Sequence, residues 1–270
     1  MSDISSLNNP LIRRIRSLKY RKFRRKENRF WVEGTKVFME ALEMNAVIEV
    51  VVIAPKLLND DNVKEVIEES NLKKIEVNDV VFASLSRREH PSGIGGVVNI
   101  PEMRLSDIEI EGDTLGAVFE EPRDPKNLGV SIRTLECVGG TNVVILGDAV
   151  DPYDPSCIQS SAGSIFSVNV IPNIDTAEFL DWRKNVALRF IGTSPHVEKH
   201  YRDISYERPL SITFGTEQLG LSKDLMAAMD EVVSIPIVGK CTSLHLSSAV
   251  AVLAYQALDA YRVSEDSSVA

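Results

Sequence analysis

The 270-residue chain is poor in cysteine and aromatic residues and has no long apolar run. Its three cysteines, Cys137, Cys157 and Cys241, are odd in number and widely spaced, with no C-x-x-C pair. This argues against a disulfide framework or a cysteine-based zinc site, and for a reducing, cytoplasmic setting. No stretch approaches the roughly 18 apolar residues of a bilayer-spanning helix, so no membrane association is expected. The charged N-terminus lacks the apolar segment of a secretory signal. With 44% apolar and 26% charged residues, the composition excludes a disordered, collagen-like or coiled-coil chain.

The formal charge of −9 hides an asymmetry. Residues 1–30 hold ten Lys/Arg against Asp3 and Glu27, a net of +8, while the remainder carries −17. Such a cationic block is a typical interaction segment for nucleic acid, because phosphates pair with it and release counterions. A solvated helix face pairing with the protein's own acidic body is the alternative.

Three zones emerge. A basic arm, residues 1–27, reads over roughly 8–27 as a short helix with Asn9 as cap and Pro10 in its first turn; Leu11, Ile12, Ile15, Leu18 and Phe23 recur near helical spacing. Residues 28–102 alternate short strands and helices, a small α/β domain. An acidic linker, 103–113, leads to a larger zone, 114–262, with strands expected near 115–120, 142–146, 167–171, 187–191, 210–214 and 231–235. Helices between them imply a largely parallel sheet covered on both faces. A polar tail, 263–270, is expected to be disordered.

Three segments follow strands of the larger zone, where open α/β sheets bind ligands. In the first, Glu120 to Thr134, a Pro/Asp turn precedes a helix starting near Asn127. Asn127 and Arg133 share a site only if Asn127 lies before that helix. A guanidinium suits phosphate, although a capping Asn and a surface Arg explain the pair equally. The second, Ile212 to Ser222, has two glycines and an acid; it is neither G-x-G-x-x-G nor a P-loop, and a bare turn would also account for it. In the third, Ser234 to Ala249, a strand stops at Pro236, and a long helix is expected to start with Thr242 or Ser243 as cap. Its free N–H groups suit an anion, and His245 would fall in its first turn.

In order and spacing these segments resemble the SpoU (TrmH) family of RNA ribose 2′-O-methyltransferases, of the SPOUT superfamily. The first motif reads Asp124-Pro125-x-Asn127-Leu128-Gly129-x-x-x-Arg133-Thr134. The second, F-G-x-E-x-x-G-L-S, is matched throughout Phe214 to Ser222. The third, I-P-x-x-G-x-x-x-S-L-N, is matched from Ile235 to Ser243-Leu244. Asp151 to Pro155 and Ser160 to Gly163 are also similar to the family. In the smaller zone, Phe30-x-Val32-Glu33-Gly34 and Gly93-Ile94-x-x-Val97-Val98 are similar to its substrate-recognition domain.

The resemblance implies a trefoil-knotted α/β methyltransferase domain preceded by an L30e-like RNA-binding domain, working as a homodimer with S-adenosylmethionine. It implies that Asn127, Arg133, Glu217 and Ser243 act on the substrate. Thr193, Phe214, Gly215, Ile235, Ile237 and Leu244 would hold the cofactor, with no metal. One position departs: two residues after Ser243 the family has Asn, and this chain has His245, a working substitute, a general base, or a sign of lost catalysis. Ribosomal RNA is the expected substrate, with transfer RNA second. The rivals are a non-catalytic RNA-binding or ribosome-assembly protein, and a small-molecule enzyme of the doubly wound class. His196-Val197-Glu198-Lys199-His200 matches neither zincin order and reads as an exposed loop or helix.

Overall fold

The structure is a computed structural model that describes residues 2–216 and 220–268. In chain order the first elements are β1 (Ser2–Ile4), α1 (Pro10–Ser17), α2 (Arg21–Glu27), β2 (Arg29–Glu33), α3 (Thr35–Glu43), β3 (Ile48–Ile53), α4 (Asp61–Glu69), β4 (Lys74–Val77), α5 (Asp79–Ala83) and β5 (Ile94–Asn99). There follow β6 (Leu115–Glu120), α6 (Pro125–Cys137), β7 (Asn142–Leu146), α7 (Pro155–Ser161), β8 (Asn169–Ile174), α8 (Thr176–Arg183), β9 (Arg189–Thr193), β10 (Leu210–Phe214), α9 (Lys223–Ala228), β11 (Glu231–Val233) and α10 (Leu246–Ser268). The chain divides into two compact units: Met1–Glu102 with Tyr153–Phe166, and Met103–Pro152 with Ser167–Ala270.

Unit 1 is a mixed five-stranded sheet in the order β1-β4-β3-β5-β2. The basic arm is part of it. Ile12, Ile15 and Leu18 are fully buried against Trp31, Val50, Val52 and Phe82. The single helix expected there is two, because the chain turns at Leu18–Tyr20 to bury Leu18 while α1 keeps its Asn9 cap and Pro10 start. Arg24 of α2 is buried too; its Nη1 donates to Leu18 O at 2.9 Å and its Nη2 lies 3.6 Å from Asp154. That partner comes from the Tyr153–Phe166 excursion, whose two aromatic ends pack on Phe30, with ring centroids 4.9 Å and 6.1 Å away. In sequence this excursion lies inside the stretch expected for the larger domain.

Unit 2 is a fully parallel six-stranded sheet, β11-β9-β10-β6-β7-β8. Residues 103–113, expected as a linker, contribute to its core: Leu105 is buried, and Met103 and Ile108 pack beside it. The apolar residues within that acidic stretch are the reason. Strand β8 runs through Pro172, which is tolerated because β8 is an edge strand. Helix α10 continues to Ser268, past the expected start of a disordered tail at 263, with no Gly or Pro after Arg262 to stop it. Residues 269–270 lie outside the described part.

Candidate functional site

Strands β9, β10 and β11 lie side by side and parallel, so their carboxyl ends release three loops at one edge of the sheet. These loops and the start of α10 enclose a cavity of about 440 Å3, a size typical of small-ligand pockets. Thr193, Phe214, Gly215, Ile235, Ile237 and Leu244, the six positions expected to hold the cofactor, all line it, as does Ser243. Ser194, Pro195, His196, Thr216 and Thr242 line it as well. Sequence reasoning missed these; the available signal was that they adjoin the strand ends already singled out.

The loops are tied together by backbone and side-chain bonds. Ser194 N donates to Val233 O at 2.9 Å, Ser234 N to Lys199 O at 2.8 Å and Tyr201 N to Ser234 O at 3.0 Å. Tyr206 Oη donates to Tyr201 O at 2.7 Å, and burial raises its phenol pKa well above the ordinary value. Glu231 pairs with both Lys199 and Arg189. The hydrogen bond from Lys199 is the main reason its carboxyl sits below the usual range. Gly215 is required by close approach: a Cβ there would lie 2.0 Å from Gly220 C. Thr216 N donates to Gly220 O at 3.1 Å and Gly220 N to Thr216 O at 3.0 Å.

The backbone N–H groups of Ile235 and of residues 237–245 have no hydrogen-bond partner among the described residues, and those of Ile235, Ile237 and Leu244 are among them. Orphan donors on a wall of apolar side chains such as Phe214, Val233 and Leu246 fit a ligand with an apolar body and a few acceptors, as an adenosine joined to an amino acid is.

The substrate-facing residues are placed differently. The Asp124 side chain caps α6 through Lys126 N and Asn127 N, at 2.6 and 3.1 Å, with Pro125 at the first position. Asn127 therefore lies inside the helix and not before it, as the shared-site reading required. Six residues at about 100° each put Arg133 on another face. Asn127 is half-buried; Arg133 is exposed, makes no hydrogen bond or ion pair with a described residue, and does not line the cavity. Glu217 lies outside the described residues. Helix α10 begins at Leu246, later than expected, so Thr242, Ser243 and Leu244 stay outside the helix and line the cavity. His245 sits before the first turn, its carbonyl accepting from Ser248 N and Ala249 N at 3.0 Å; it too does not line the cavity. His196 is at the cavity, whereas His200 Nδ1 accepts from Arg202 N at 3.1 Å.

Comparison with known proteins bears directly on this geometry. Residues 115–255 match the model of the SpoU rRNA methylase family, and residues 9–96 that of the MRM3-like substrate binding domain. The chain is 30% identical over 185 residues to the 23S rRNA (uridine(2479)-2′-O)-methyltransferase of Streptomyces viridochromogenes, covering 67% of this chain and 64% of that relative. It is 24% identical over 256 residues to the 23S rRNA (guanosine(2553)-2′-O)-methyltransferase RlmP of Bacillus subtilis, covering 94% and 98%. Among solved structures, an AdoMet-bound rRNA methyltransferase from Sinorhizobium meliloti superposes with a TM-score of 0.86 at 27% identity, covering 95% of this chain and 97% of that one. With over half its residues matched, and with a parallel sheet whose loops build the expected pocket, the chain belongs to the SpoU rRNA methylase family, within the SPOUT methyltransferases.

Proposed function

We propose that the chain methylates one ribose 2′-hydroxyl of ribosomal RNA, with S-adenosylmethionine in the 440 Å3 cavity and unit 1 binding the RNA. Family membership makes it an RNA 2′-O-methyltransferase dependent on that cofactor. Ribosomal RNA, and not transfer RNA, follows the named activities of the relatives. The observation that carries the cofactor's place is the set of orphan amides at Ile235, Ile237 and Leu244 on an apolar-walled cavity.

When bound, the sulfonium supplies an activated methyl group to an oxygen nucleophile in line with it. The three amides donate to the cofactor's acceptors, and Phe214, Val233 and Leu246 exclude water. Ser243, at the cavity edge, orients the ribose; the family pattern assigns the same task to Asn127 and Glu217, Asn127 lying outside the cavity of its own subunit as Arg133 does. Arg133 would hold the adjacent phosphate and stabilise the oxyanion that develops as the O–CH3 bond forms, the S–CH3 bond breaks and the hydroxyl proton passes to solvent water. A guanidinium gives up its proton only at great cost, so Arg133 acts as a fixed cation and not as the base. His245 takes over as donor or acceptor where the family has Asn.

Arg133 does not line its own cavity, so the reading requires a homodimer in which Arg133 of the partner subunit completes the site. Helices α6 and α10 pack together, and each exposes a large apolar side chain, Val130 at 41% and Tyr255 at 49%, which supports an interface there. The loops after β9, β10 and β11 would form the trefoil knot, and the protein would act in the cytoplasm, where ribosomes are made.

Mapping alkali-resistant ribose positions in rRNA from cells with and without the gene tests the reading, since a 2′-O-methyl group blocks alkaline cleavage. One position should lose resistance when the gene is absent. His245 motivates the second reading, a non-catalytic RNA binder, which calorimetry would support by finding no heat with S-adenosylmethionine.

A further inference from the structure

Unit 1 has a cleft of its own, of about 360 Å3, that methyl transfer does not use. It lies between the end of α1, the Trp31–Glu33 end of β2, the 84–88 loop and α7. Three observations converge there.

The rim is cationic and its charges are held in place. Arg16 Nη2 donates to Ser84 Oγ at 2.7 Å, Arg88 Nη2 to Glu33 O at 3.1 Å, and Arg87 Nη1 lies 3.9 Å from Asp154. Lys19 is exposed beside them. The one carboxylate lining the cleft, Glu33, is engaged: its Oε1 accepts from Ser86 Oγ at 2.7 Å.

An aromatic ring stands open at the mouth. Tyr20 is 53% exposed, with Lys19 Nζ 4.9 Å from its ring centre. Its ring neighbour, Phe23, lies 6.4 Å away at a tilt, which leaves half of the residue's surface open.

Trp31 also lines the cleft. The residue is 7% exposed, and its Nε1–H has no acceptor among the described residues. Buried donors without acceptors are rare in folded proteins. The indole is fixed from behind by Gly95, where a Cβ would lie 2.2 Å from Trp31 Cζ2.

An open aromatic face, a donor awaiting an acceptor and a rim of fixed cations are the requirements for seating an unpaired nucleotide. A base inside a duplex is stacked and paired and has no free face to offer. An acidic peptide would satisfy the rim but leave the ring and the indole N–H unused. Arg13, Lys22 and Lys26 on the same arm are exposed as well, which suits several phosphates of one strand better than a lone nucleotide.

We propose that this cleft seats one unpaired nucleotide of the RNA substrate, its base against Tyr20 and Trp31 and its phosphate against Arg16, Lys19 and Arg87. The proposal rests on RNA being the substrate. The test measures binding of the full chain to a 5′-labelled single-stranded RNA heptamer of mixed sequence, to an abasic ribose-phosphate heptamer of equal charge, and to free AMP. Tyr20→Ala should weaken binding of the heptamer about tenfold, as loss of one stacked base predicts, and Tyr20→Phe should restore it. Lys19→Ala with Arg87→Ala should lower the salt dependence of binding. The abasic heptamer should bind the wild type about as weakly as the heptamer binds Tyr20→Ala. Tyr20 and Lys19 are exposed, so an unchanged melting temperature should confirm intact folding. Tyr20→Ala binding within twofold of wild type, equal binding of the abasic strand, or AMP binding as tightly as the heptamer would each overturn the seat and leave the methylation reading standing. A wild type that binds neither RNA nor S-adenosylmethionine would overturn both.

Discussion

At the residue scale the proposed chemistry rests on Arg133, which is exposed and makes no hydrogen bond or ion pair with a described residue. If it is a fixed cation for phosphate and oxyanion, Arg133→Ala should abolish methyl transfer while S-adenosylmethionine affinity stays near wild type. A single-turnover assay beside calorimetry checks both, and near-normal turnover would sink the mechanism. His245→Asn should retain activity, because both side chains can donate and accept a hydrogen bond. A collapse of activity in that variant, with a wild-type profile that rises through neutral pH, would instead assign proton transfer to the imidazole. The motif spacing singled out these residues, but it could not say that Asn127 lies within α6. That depended on whether the Asp124 cap or Asn127 itself starts the helix, and Asp124 with Pro125 behind it wins.

At the scale of elements, that cap makes a measurable contribution. Asp124→Ala removes acceptors from two otherwise unpaired amides and should destabilise the protein by about 1 kcal/mol, seen as a lower urea midpoint. The other testable junction is the meeting of α1 with β2 and β3. There Glu49 pairs with Arg14 and Arg29, and the hydrogen bond from Arg14 is the main reason its carboxyl is held down to about 2 from 4.5. Arg14 is correspondingly raised. The folded pKa lies below the unfolded one, so the network's contribution is full above pH about 4.5 and is lost as pH falls toward 2. Glu49→Gln should therefore lower stability at neutral pH and flatten the acid limb of the stability curve. The group is partly exposed, so the neutral-pH loss should be on the order of 1 kcal/mol.

The whole molecule is two units, and Tyr153–Phe166 belongs to the first although its sequence neighbours belong to the second. Phe30, fully buried and in contact with both aromatic ends of that excursion, is the point where this packing is most exposed to mutation. Phe30→Ala should cost about 3–5 kcal/mol and melt unit 1 before unit 2 in calorimetry. The buried Ile12, Ile15 and Leu18 also mean that the arm is no detachable tail. Deleting residues 1–27 would remove core, so the arm's charges are better tested by single substitutions. The proposed dimer is tested at this scale too. Tyr255→Asp should shift the sedimentation coefficient to that of a monomer and remove activity, with S-adenosylmethionine binding tracking how far the cavity depends on its neighbour.

The sequence by itself determined the alternation of strand and helix and the parallel sheet of unit 2, because hydrophobic periodicity is a local property of the chain; the six positions that line one cavity came from the family resemblance. It also carried the family, because three spaced motifs survive as a linear pattern. The tertiary structure alone decided that Ile12, Ile15 and Leu18 of the basic arm are core, that residues of 103–113 join the core of unit 2, that 153–166 packs with unit 1, and that a second cleft with a basic rim exists. Each of these depends on which distant surfaces bury one another, and burial is a property of the assembled chain that no local spacing records.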